Sequence, residues 1–594
     1  MMDEHKIEEN LLKLREQLFV NHELKRELKK SFVRKKRKKW RSYSVIIGIA
    51  VATLLITIFQ FRFETTIVNA SSLKIASAVS FLDIGRGEVG EFAHKDGMLY
   101  ITSKQHGMVS TNEEKVTEIS SEKMDEFDIS EDGQTVLYTN DGSIYVYNTE
   151  SNERKVLIKN TESIRYAHPL WVDKKEFIVT KLEQGEKKLV RIDLDSKGET
   201  FITTGEHASY HKDKNILIFE RDDKVILRDL KKKTDMVIDT GKQPAVSKDG
   251  SYITYIKDTN KIADVWIADT DSETKKQVTF NSMLSSVGVY EYSSPTWSST
   301  NLELYVIKNI SGDDDSERIM KISLQEEPPT ARETLESYLQ ALIVRDDDYA
   351  KSLMVNPPDY LTYSNPYVVG FTILGSKTEG NSIYMEAEIN RTDTATAYYR
   401  TSRYEFEMTK GREGYVINNV KEITNTEITT LSPETGKDTG IVTLVEGGTR
   451  GDLFSLEDIP NEYMENKKIR ISSLVYHPGT QLIVFGLQEM ENSNGKNSVA
   501  LLRYDRNTQR FTLLNKIDMN KDLTIAGLAL DASGESLAVN FSTSTKDYVE
   551  VYNVKTNRLV QSIDDARIVN WKGKTLMYEK QFNNHIIMNT LEIE

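Results

Sequence analysis

Residues 244–279 read PAVSKDGSYITYIKDTNKIADVWIADTDSETKKQVT, and this stretch decides the fold. A turn at Asp249-Gly250 is followed by an alternating strand, a polar turn and another strand that ends at Asp269. A last polar hairpin leads into a short strand. Asp-Gly supplies the positive φ that a tight turn between antiparallel strands requires. The stretch therefore predicts one four-stranded antiparallel sheet.

The same order of turns and strands recurs in blocks of about 35–40 residues. The blocks start at Phe127, His168, Ser209, Pro244 and Ser294, and again at Leu474 and Leu528. Repeats of this length predict a β-propeller in which each block is one blade. A partial blade starts near Ile568. We expect it to complete a sheet begun near residues 97–120, because closing the ring removes exposed strand edges.

Two of the blocks resemble the TolB-type propeller repeat. The first block matches it at Pro244, Ser247, Asp249, Gly250, Trp266 and Asp269. The next block matches its opening at Pro295, Trp297 and Ser298. Most other blocks lack the Trp-Ser-Pro of that repeat, and the WD-repeat signature is absent too. The resemblance therefore implies the fold and not a ligand.

Residues 328–427 follow a different pattern between the two sets of blades. Thr330 and Glu333 form a capping box at the start of a predicted helix. One face of that helix carries Leu335, Tyr338, Leu339 and Leu342. A second helix over 347–354 and four long strands follow. This order is similar to the cystatin-like, nuclear-transport-factor-type cone, a resemblance that implies a small-ligand site or a pairing surface.

Residues 43–61 read YSVIIGIAVATLLITIFQF and carry no charge. At about 1.5 Å per residue, a helix of this length matches a hydrocarbon core of about 30 Å. The basic run RKKRKKWR at 34–41 flanks one end, which places the N-terminus in the cytoplasm. We favour an uncleaved anchor over a signal peptide, because the preceding charged region is too long for a signal peptide.

Charge and cysteine content restrict the ligands of the rest of the chain. Residues 1–44 carry a net charge of +7, whereas the whole chain carries −14, so the remainder carries −21. An acidic body argues against nucleic acid and anionic membrane surfaces as its ligands. The absence of cysteine excludes disulfides, thiolate nucleophiles and cysteine-based metal sites. A large cysteine-free extracytoplasmic part is typical of bacterial surfaces.

Residues 3–33 predict an amphipathic helix on the cytoplasmic side. Its apolar stripe is the predicted partner-binding surface, formed by Ile7, Leu11, Leu14, Leu18 and Leu28. Such a face pairs with a second copy of the chain, binds a cytoplasmic regulator such as a sigma factor, or lies on the bilayer. A short cytoplasmic helix, one span and a large outer part is a layout similar to that of membrane-bound anti-sigma factors. The HxxxCxxC motif of many of those proteins is absent.

The sequence contains no recognisable catalytic motif: GxSxG, HExxH and a P-loop are missing, and no GxGxxG follows a predicted strand. His207 and His211 are the closest outer histidine pair, and we expect no shared metal because they lie where a strand turns. We interpret His94, His168 and His477 as hydrogen-bonded residues at loops or blade starts. We therefore predict no catalytic, cofactor or metal residues.

The predicted fold is mainly β: a multi-bladed propeller interrupted by an α+β cone domain and preceded by the two N-terminal helices. The predicted parts are a cytoplasmic helix at 1–42, a transmembrane helix at 43–62, a juxtamembrane linker at 63–87, the first blades at 88–327, the insert at 328–427 and the second blades at 428–594. We predict a non-enzymatic plasma-membrane protein with an extracytoplasmic binding, scaffold or sensing propeller. Its partners would be proteins of the membrane or envelope. The alternatives are a transmembrane regulator of the anti-sigma type and a hydrolase with a propeller active site.

Overall fold

The computed structural model describes residues 70–593 apart from gaps, of which the longest are 280–289, 311–316, 432–437, 464–468 and 490–496. Two predicted segments lie outside the described residues: the membrane span at 43–61 and the cytoplasmic helix with Ile7, Leu11, Leu14, Leu18 and Leu28. None of the helices in the described part combines the length and the hydropathy needed to cross a bilayer. Strands form most of the described structure.

Five four-stranded antiparallel sheets follow one another along the first half of the chain, and each consists of four consecutive strands. A single strand, β1 (Lys74–Gly85), precedes them. The five sheets are formed by β2 (Val89–Lys95), β3 (Met98–Ser103), β4 (Gly107–Thr111) and β5 (Val116–Ser120); β6 (Glu126–Ile129), β7 (Thr135–Asn140), β8 (Ser143–Asn148) and β9 (Arg154–Ile158); β10 (Ile164–Trp171), β11 (Glu176–Glu183), β12 (Glu186–Asp193) and β13 (Glu199–Thr204); β14 (Glu206–His211), β15 (Ile216–Arg221), β16 (Lys224–Asp229) and β17 (Thr234–Thr240); β18 (Lys242–Val246), β19 (Tyr252–Thr259), β20 (Ile262–Asp269) and β21 (Lys275–Gln277).

A sixth blade closes these sheets into a ring. Its strands are β22 (Tyr290–Trp297), β23 (Glu303–Ile310) and β24 (Glu317–Gln325), and β1 pairs with β24 as the outer strand. The first strand of each blade contacts the first strands of its neighbours, and β22 contacts β2. The arrangement fits a six-bladed β-propeller whose last blade is completed by the earliest strand. β1 lies inside the segment 63–87, which the sequence analysis assigns to a linker.

The turns predicted from Asp-Gly are present and are held by side chains. In the fifth blade, Ser247 Oγ donates to Asp249 Oδ1 at 2.7 Å and accepts from the backbone N–H of Tyr252 at 2.9 Å. Gly250 has a φ of 70°. Asp132-Gly133 forms the corresponding turn in the second blade, where Gly133 has a φ of 71°. The turn chemistry read from the sequence is therefore confirmed.

An α+β unit follows the sixth blade. It contains α1 (Ala331–Ile343), α2 (Asp347–Ser352) and one six-stranded sheet of β25 (Tyr367–Glu379), β26 (Ser382–Thr392), β27 (Tyr398–Lys410), β28 (Tyr415–Leu431), β29 (Asp438–Glu446) and β30 (Thr449–Ser455). The capping box at Thr330 and Glu333 is confirmed. The predicted apolar face of α1 is buried, and Tyr338 packs edge-on against Phe406 of β27. The sheet continues two strands past the predicted end of the insert at residue 427.

Three further blades form the C-terminal part after a 3-10 turn at Leu456–Asp458. They consist of β31 (Ile469–His477), β32 (Leu482–Glu489), β33 (Asn497–Asp505) and β34 (Arg510–Met519); β35 (Thr524–Leu530), β36 (Ser536–Ser542), β37 (Asp547–Asn553) and β38 (Arg558–Asp564); β39 (Ala566–Lys572), β40 (Thr575–Phe582) and β41 (His585–Glu592). β25 contacts β39 and β27 contacts β31, so the sheet of the α+β unit meets the first and last of these blades.

The C-terminal partial blade joins a different sheet from the expected one. β41 pairs with β1 at Leu82↔Ile587 and Asp83↔Ile586. Residues 97–120 instead provide β3, β4 and β5 of the first blade, which is complete without the C-terminus. The expectation of closure at 97–120 is therefore wrong, because β1 supplies the pairing edge that the sequence pattern did not reveal.

Candidate functional site

The first strands of the third to sixth blades share a local distortion near the ring axis. In β10, β14, β18 and β22, two residues stand opposite a single residue of the neighbouring strand. The first residue of each bulge has a left-handed backbone, with φ of 48° at His168, 47° at His207, 51° at Gln243 and 51° at Ser294. Non-glycine residues in this region cost about 1–3 kcal/mol each and cluster at functional sites. Four equivalent strained positions therefore mark this part of the ring.

Side chains from the preceding blade hold several of these bulges in place. The backbone N–H of Ser294 donates to Gln243 Oε1 at 3.0 Å, and the N–H of Gln243 donates to Glu220 Oε2 at 3.2 Å. The N–H of His168 donates to Glu126 Oε2 at 2.7 Å. The bulges are therefore connected from blade to blade by hydrogen bonds, which fixes the positions of the side chains that they carry.

Two imidazole rings meet between the third and fourth blades. The ring centroids of His168 and His207 lie 3.7 Å apart with an interplanar angle of 44°. His168 Nε2 lies 3.3 Å from Glu126 Oε1. His207 Nδ1 lies 3.3 Å from Glu220 Oε2 and 3.9 Å from Glu206 Oε2. We call these five partly buried residues, Glu126, His168, Glu206, His207 and Glu220, the axial cluster.

Burial sets the protonation states around the axial cluster. Desolvation, with the neighbouring His207 and Lys187, lowers the pKa of His168 to about 3, so this ring is neutral at physiological pH. Burial raises the pKa of Glu126 despite hydrogen bonds to its carboxylate. Burial and then the charge of Glu126 raise the pKa of nearby Glu91 to about 8. Shifts of this kind at one place are typical of functional sites.

The charge of the axial cluster is only partly balanced. Lys187 forms an ion pair with Glu206. Among the described residues, no other lysine or arginine lies within ion-pair distance of Glu126, Glu206 or Glu220. One ligand atom from each of His168, Glu206 and His207 can be chosen so that all three lie within 4.8 Å of one another. The geometry therefore suits a cation or a ligand that carries hydrogen-bond donors.

The structure places His207 against His168 and gives His211 separate partners, as expected for two histidines that share no metal. His211 Nε2 lies 2.8 Å from the carbonyl oxygen of Lys248, and its Nδ1 accepts from the N–H of Lys214. It therefore connects two blades. His477 has hydrogen-bond partners at both ring nitrogens, as expected for a blade-start residue. His168 differs from that expectation, because within the described structure its Nδ1 is buried without a hydrogen-bond partner.

A signal in the sequence could have found part of this site. The bulge residue directly precedes the opening proline of a block in His168-Pro169, Gln243-Pro244 and Ser294-Pro295. Tracing the residue before each opening proline therefore leads to the ring axis. His207 lacks this proline, since Ala208 follows it. Its equivalence to His168 becomes evident only from the strand pairing.

A cavity lies where the sheet of the α+β unit meets the C-terminal blades. Its lining includes Glu388, Tyr399, His477, Asp531 and Trp571. Burial raises the pKa of Glu388. Both ring nitrogens of His477 are already engaged, so this histidine offers no free nitrogen to a ligand in the cavity.

No family model matches the chain, and no curated protein matches it either. Solved structures do. TolB from Acinetobacter baumannii matches at 15% identity and a TM-score of 0.30, over 42% of this chain and 65% of TolB. A putative TolB from Agrobacterium tumefaciens matches at 12% identity and a TM-score of 0.28, over 35% of this chain and 94% of that protein. The extracellular domain of the putative one-component system BT4673 from B. thetaiotaomicron matches at 8% identity and a TM-score of 0.27, over 86% of this chain and 82% of that domain.

Proposed function

We propose that the protein is a membrane-anchored, non-catalytic binding protein whose six-bladed ring holds a ligand at its axial cluster outside the cytoplasm. The observation that carries the proposal is the set of four strained bulge residues, His168, His207, Gln243 and Ser294, at equivalent positions around the ring. Backbone strain is retained where the surrounding structure over-determines it, as at a ligand site. The anchor is supported by the uncharged stretch 43–61 and its basic flank.

A binding role suits the axial cluster better than hydrolysis. A serine-type nucleophile needs a hydroxyl within hydrogen-bond reach of its histidine base. Within the described part of the chain, neither the His168 ring nor the His207 ring is hydrogen-bonded to a Ser or Thr hydroxyl. The rings face carboxylates and each other. We therefore favour recognition over turnover, and a broad hydrolase screen on the full-length protein should find no activity that depends on His207.

The α+β unit and the C-terminal blades would supply a second surface for a protein partner in the membrane or envelope. The unit's two helices and curled sheet are similar to the nuclear-transport-factor-type cone, which holds small ligands or pairs with a copy of itself. Pairing of two copies of the chain would then use this sheet or the cytoplasmic stripe of Ile7, Leu11, Leu14, Leu18 and Leu28.

Site-specific photo-crosslinking tests the binding role. A photoreactive residue at Lys242, which is exposed beside the Gln243 bulge, should crosslink to a specific envelope component in intact cells. The matched control is Val237 on the outer strand β17 of the neighbouring blade, where 54% of the residue is exposed. Crosslinks from position 242 that are missing from position 237 support an axial site. No crosslink, or the same products from both positions, contradicts it.

Protease treatment of whole cells tests the orientation. External protease should digest the propeller and leave the segment 1–42 protected, because the basic flank retains the N-terminus in the cytoplasm. The second candidate, a regulator of the anti-sigma type, predicts in addition that residues 1–40 capture a cytoplasmic factor. Charge substitutions at Leu11, Leu14 and Leu18 should then abolish capture. Capture of nothing but copies of the chain would reject this second candidate.

A further inference from the structure

The axial cluster brings two histidines and a carboxylate into the arrangement of a metal site. His168 and His207 come from adjacent blades, 39 residues apart in the chain, and Glu206 precedes His207. Ligand atoms of the three residues lie within 4.8 Å of one another. The Nδ1 atom of His168 is buried without a hydrogen-bond partner in the described structure, whereas Nδ1 of His207 lies 3.3 Å from Glu220 Oε2. Buried polar atoms usually have a partner, so Nδ1 of His168 requires an explanation.

We propose that His168, Glu206 and His207 bind one divalent transition-metal ion of the zinc type. Two imidazole nitrogens and one carboxylate form a donor set typical of catalytic or ligand-binding zinc sites, with three protein ligands and an open position. Magnesium and calcium prefer sets of oxygen ligands, so the two imidazoles select against them. The proposal deepens the axial binding role, on which it rests, because the open position would take a donor atom of the bound ligand.

The distances require only a local adjustment. Ligand atoms at about 2.0–2.1 Å from a tetrahedral zinc ion are roughly 3.4 Å apart. The three donor atoms would therefore approach one another by up to about 1.5 Å, a movement within reach of side-chain rotation. The bulge that carries His168 stays fixed, since its N–H is held by Glu126.

The charges also favour a bound cation. Glu126 and Glu220 lie within 3.3 Å of the two rings and would act as outer partners that orient the imidazoles. Lys187 now neutralises Glu206. A bound ion would displace the ammonium from this carboxylate and balance more of the negative charge than the single positive charge of Lys187 does.

The test uses the full-length protein in non-ionic detergent, stripped with EDTA and desalted. Isothermal titration with Zn²⁺ and Co²⁺ should give one tight site per chain, which excess Ca²⁺ does not displace. His168→Gln and His207→Gln should each weaken binding at least 100-fold. His477→Gln, a histidine of another blade, should leave it unchanged. No binding, or equal affinity in all three variants, overturns the proposal.

Two further measurements keep the test decisive. If the variants fail to fold, X-ray absorption at the zinc edge of the wild-type protein should show two imidazoles, and a shell of oxygen alone would overturn the proposal. Crosslinking from position 242 is then repeated after EDTA treatment. If crosslinking persists after the metal has been removed, the binding role stands and the part of the metal in it fails. If position 242 gives no specific crosslink even before EDTA treatment, the binding role itself fails.

Discussion

The ammonium nitrogen of Lys308 lies 2.7 Å from Asp346 Oδ2, and this buried ion pair joins β23 of the ring to the start of α2. The lysine side chain is 4% exposed and that of the aspartate 10%. Lys308 Nζ also lies 3.9 Å from the centroid of the Tyr290 ring. Asp346 caps α2 by accepting from the N–H of Tyr349. A buried ion pair therefore lies within the otherwise apolar junction between the propeller and the α+β unit.

Replacing Lys308 by Met should destabilise this junction strongly. The substitution leaves the Asp346 carboxylate buried without its partner, which typically costs about 3–5 kcal/mol. Thermal and urea unfolding of the full-length protein measure the loss. Adding Asp346→Asn should recover part of it, since the uncompensated charge disappears. Glu303→Gln breaks a more exposed pair with Lys321 in the same blade and should cost about 1 kcal/mol or less. Equal losses from Lys308→Met and Glu303→Gln would contradict this account.

A buried aspartate should make stability fall as pH rises. Burial raises the pKa of Asp264 to about 7, the hydrogen bond from Thr279 partly opposes this, and the charge of Asp348 adds to it. In the unfolded chain the group titrates near its ordinary value of about 3.9. Between these values the folded state holds a proton that the unfolded state has lost, so stability decreases from about pH 4 to pH 7.

The variant Asp264→Asn tests this pH dependence. Its amide oxygen can still accept the hydrogen bond from Thr279 Oγ1, which is 2.8 Å in the wild-type protein. The unfolding midpoints of variant and wild type should be similar near pH 4, and the variant should be the more stable above pH 7, by up to about 4 kcal/mol. Asp258→Asn on the exposed part of β19 serves as control. Parallel pH profiles for wild type and D264N would refute the assignment.

Closure of the ring by β1 can be tested with a disulfide, because the chain contains no cysteine. Ser77 pairs directly with Ser323. Directly opposed residues of antiparallel strands lie within disulfide range, about 4.5–5.5 Å between Cα atoms. Ser77→Cys with Ser323→Cys should therefore crosslink fully on mild oxidation and raise the unfolding midpoint.

The control for this disulfide moves one partner along the same face of β24. Ser77→Cys with Lys321→Cys places the thiols at diagonal positions, about 7–8 Å apart between Cα atoms, which is too far for an unstrained bond. Mass spectrometry of the proteolysed protein identifies the linked peptides. Equally rapid oxidation of both pairs would show that β1 does not hold this register.

The strained bulges predict an unusual response to small substitutions. Ser294 has a φ of 51°, which a β-branched residue tolerates poorly and glycine adopts freely. We expect Ser294→Val to lower the free energy of unfolding by about 1–3 kcal/mol. Ser294→Gly should leave it within about 1 kcal/mol of the wild type. Ser293→Val, in the regular strand one residue earlier, should have little effect. The same loss for Ser293→Val and Ser294→Val would exclude backbone strain as the cause.

Local features were predictable from the sequence because they depend on neighbouring residues. The Asp249-Gly250 turn and the Thr330–Glu333 capping box each need two residues a short distance apart. The strand β1 was missed because a single strand without its own hairpin has no repeat to reveal it. Its partner is the edge of β24, more than 200 residues away. Sheet closure is a long-range property that spacing does not encode.

The axial cluster was missed for a related reason. The outer histidine nearest to His207 in the sequence is His211, four residues later. The ring instead places His207 against His168, one blade earlier, because equivalent positions of adjacent blades meet at the axis. Separations of one repeat length are therefore the spacings to search in a propeller sequence.

The position of β1 also has a mechanical consequence. This strand starts at Lys74, a short distance along the chain from the proposed anchor at 43–62, and it pairs antiparallel with β24 and, near its C-terminal end, with β41. Tension that enters the chain from its N-terminal side would pull β1 along its own axis. The ladder between β1 and β24 would then be loaded in shear, with many bonds sharing the force, instead of opening one after another, and β41 adds the pairs at Leu82 and Asp83. The strand that completes the ring would thus also be the element through which the propeller withstands a pull.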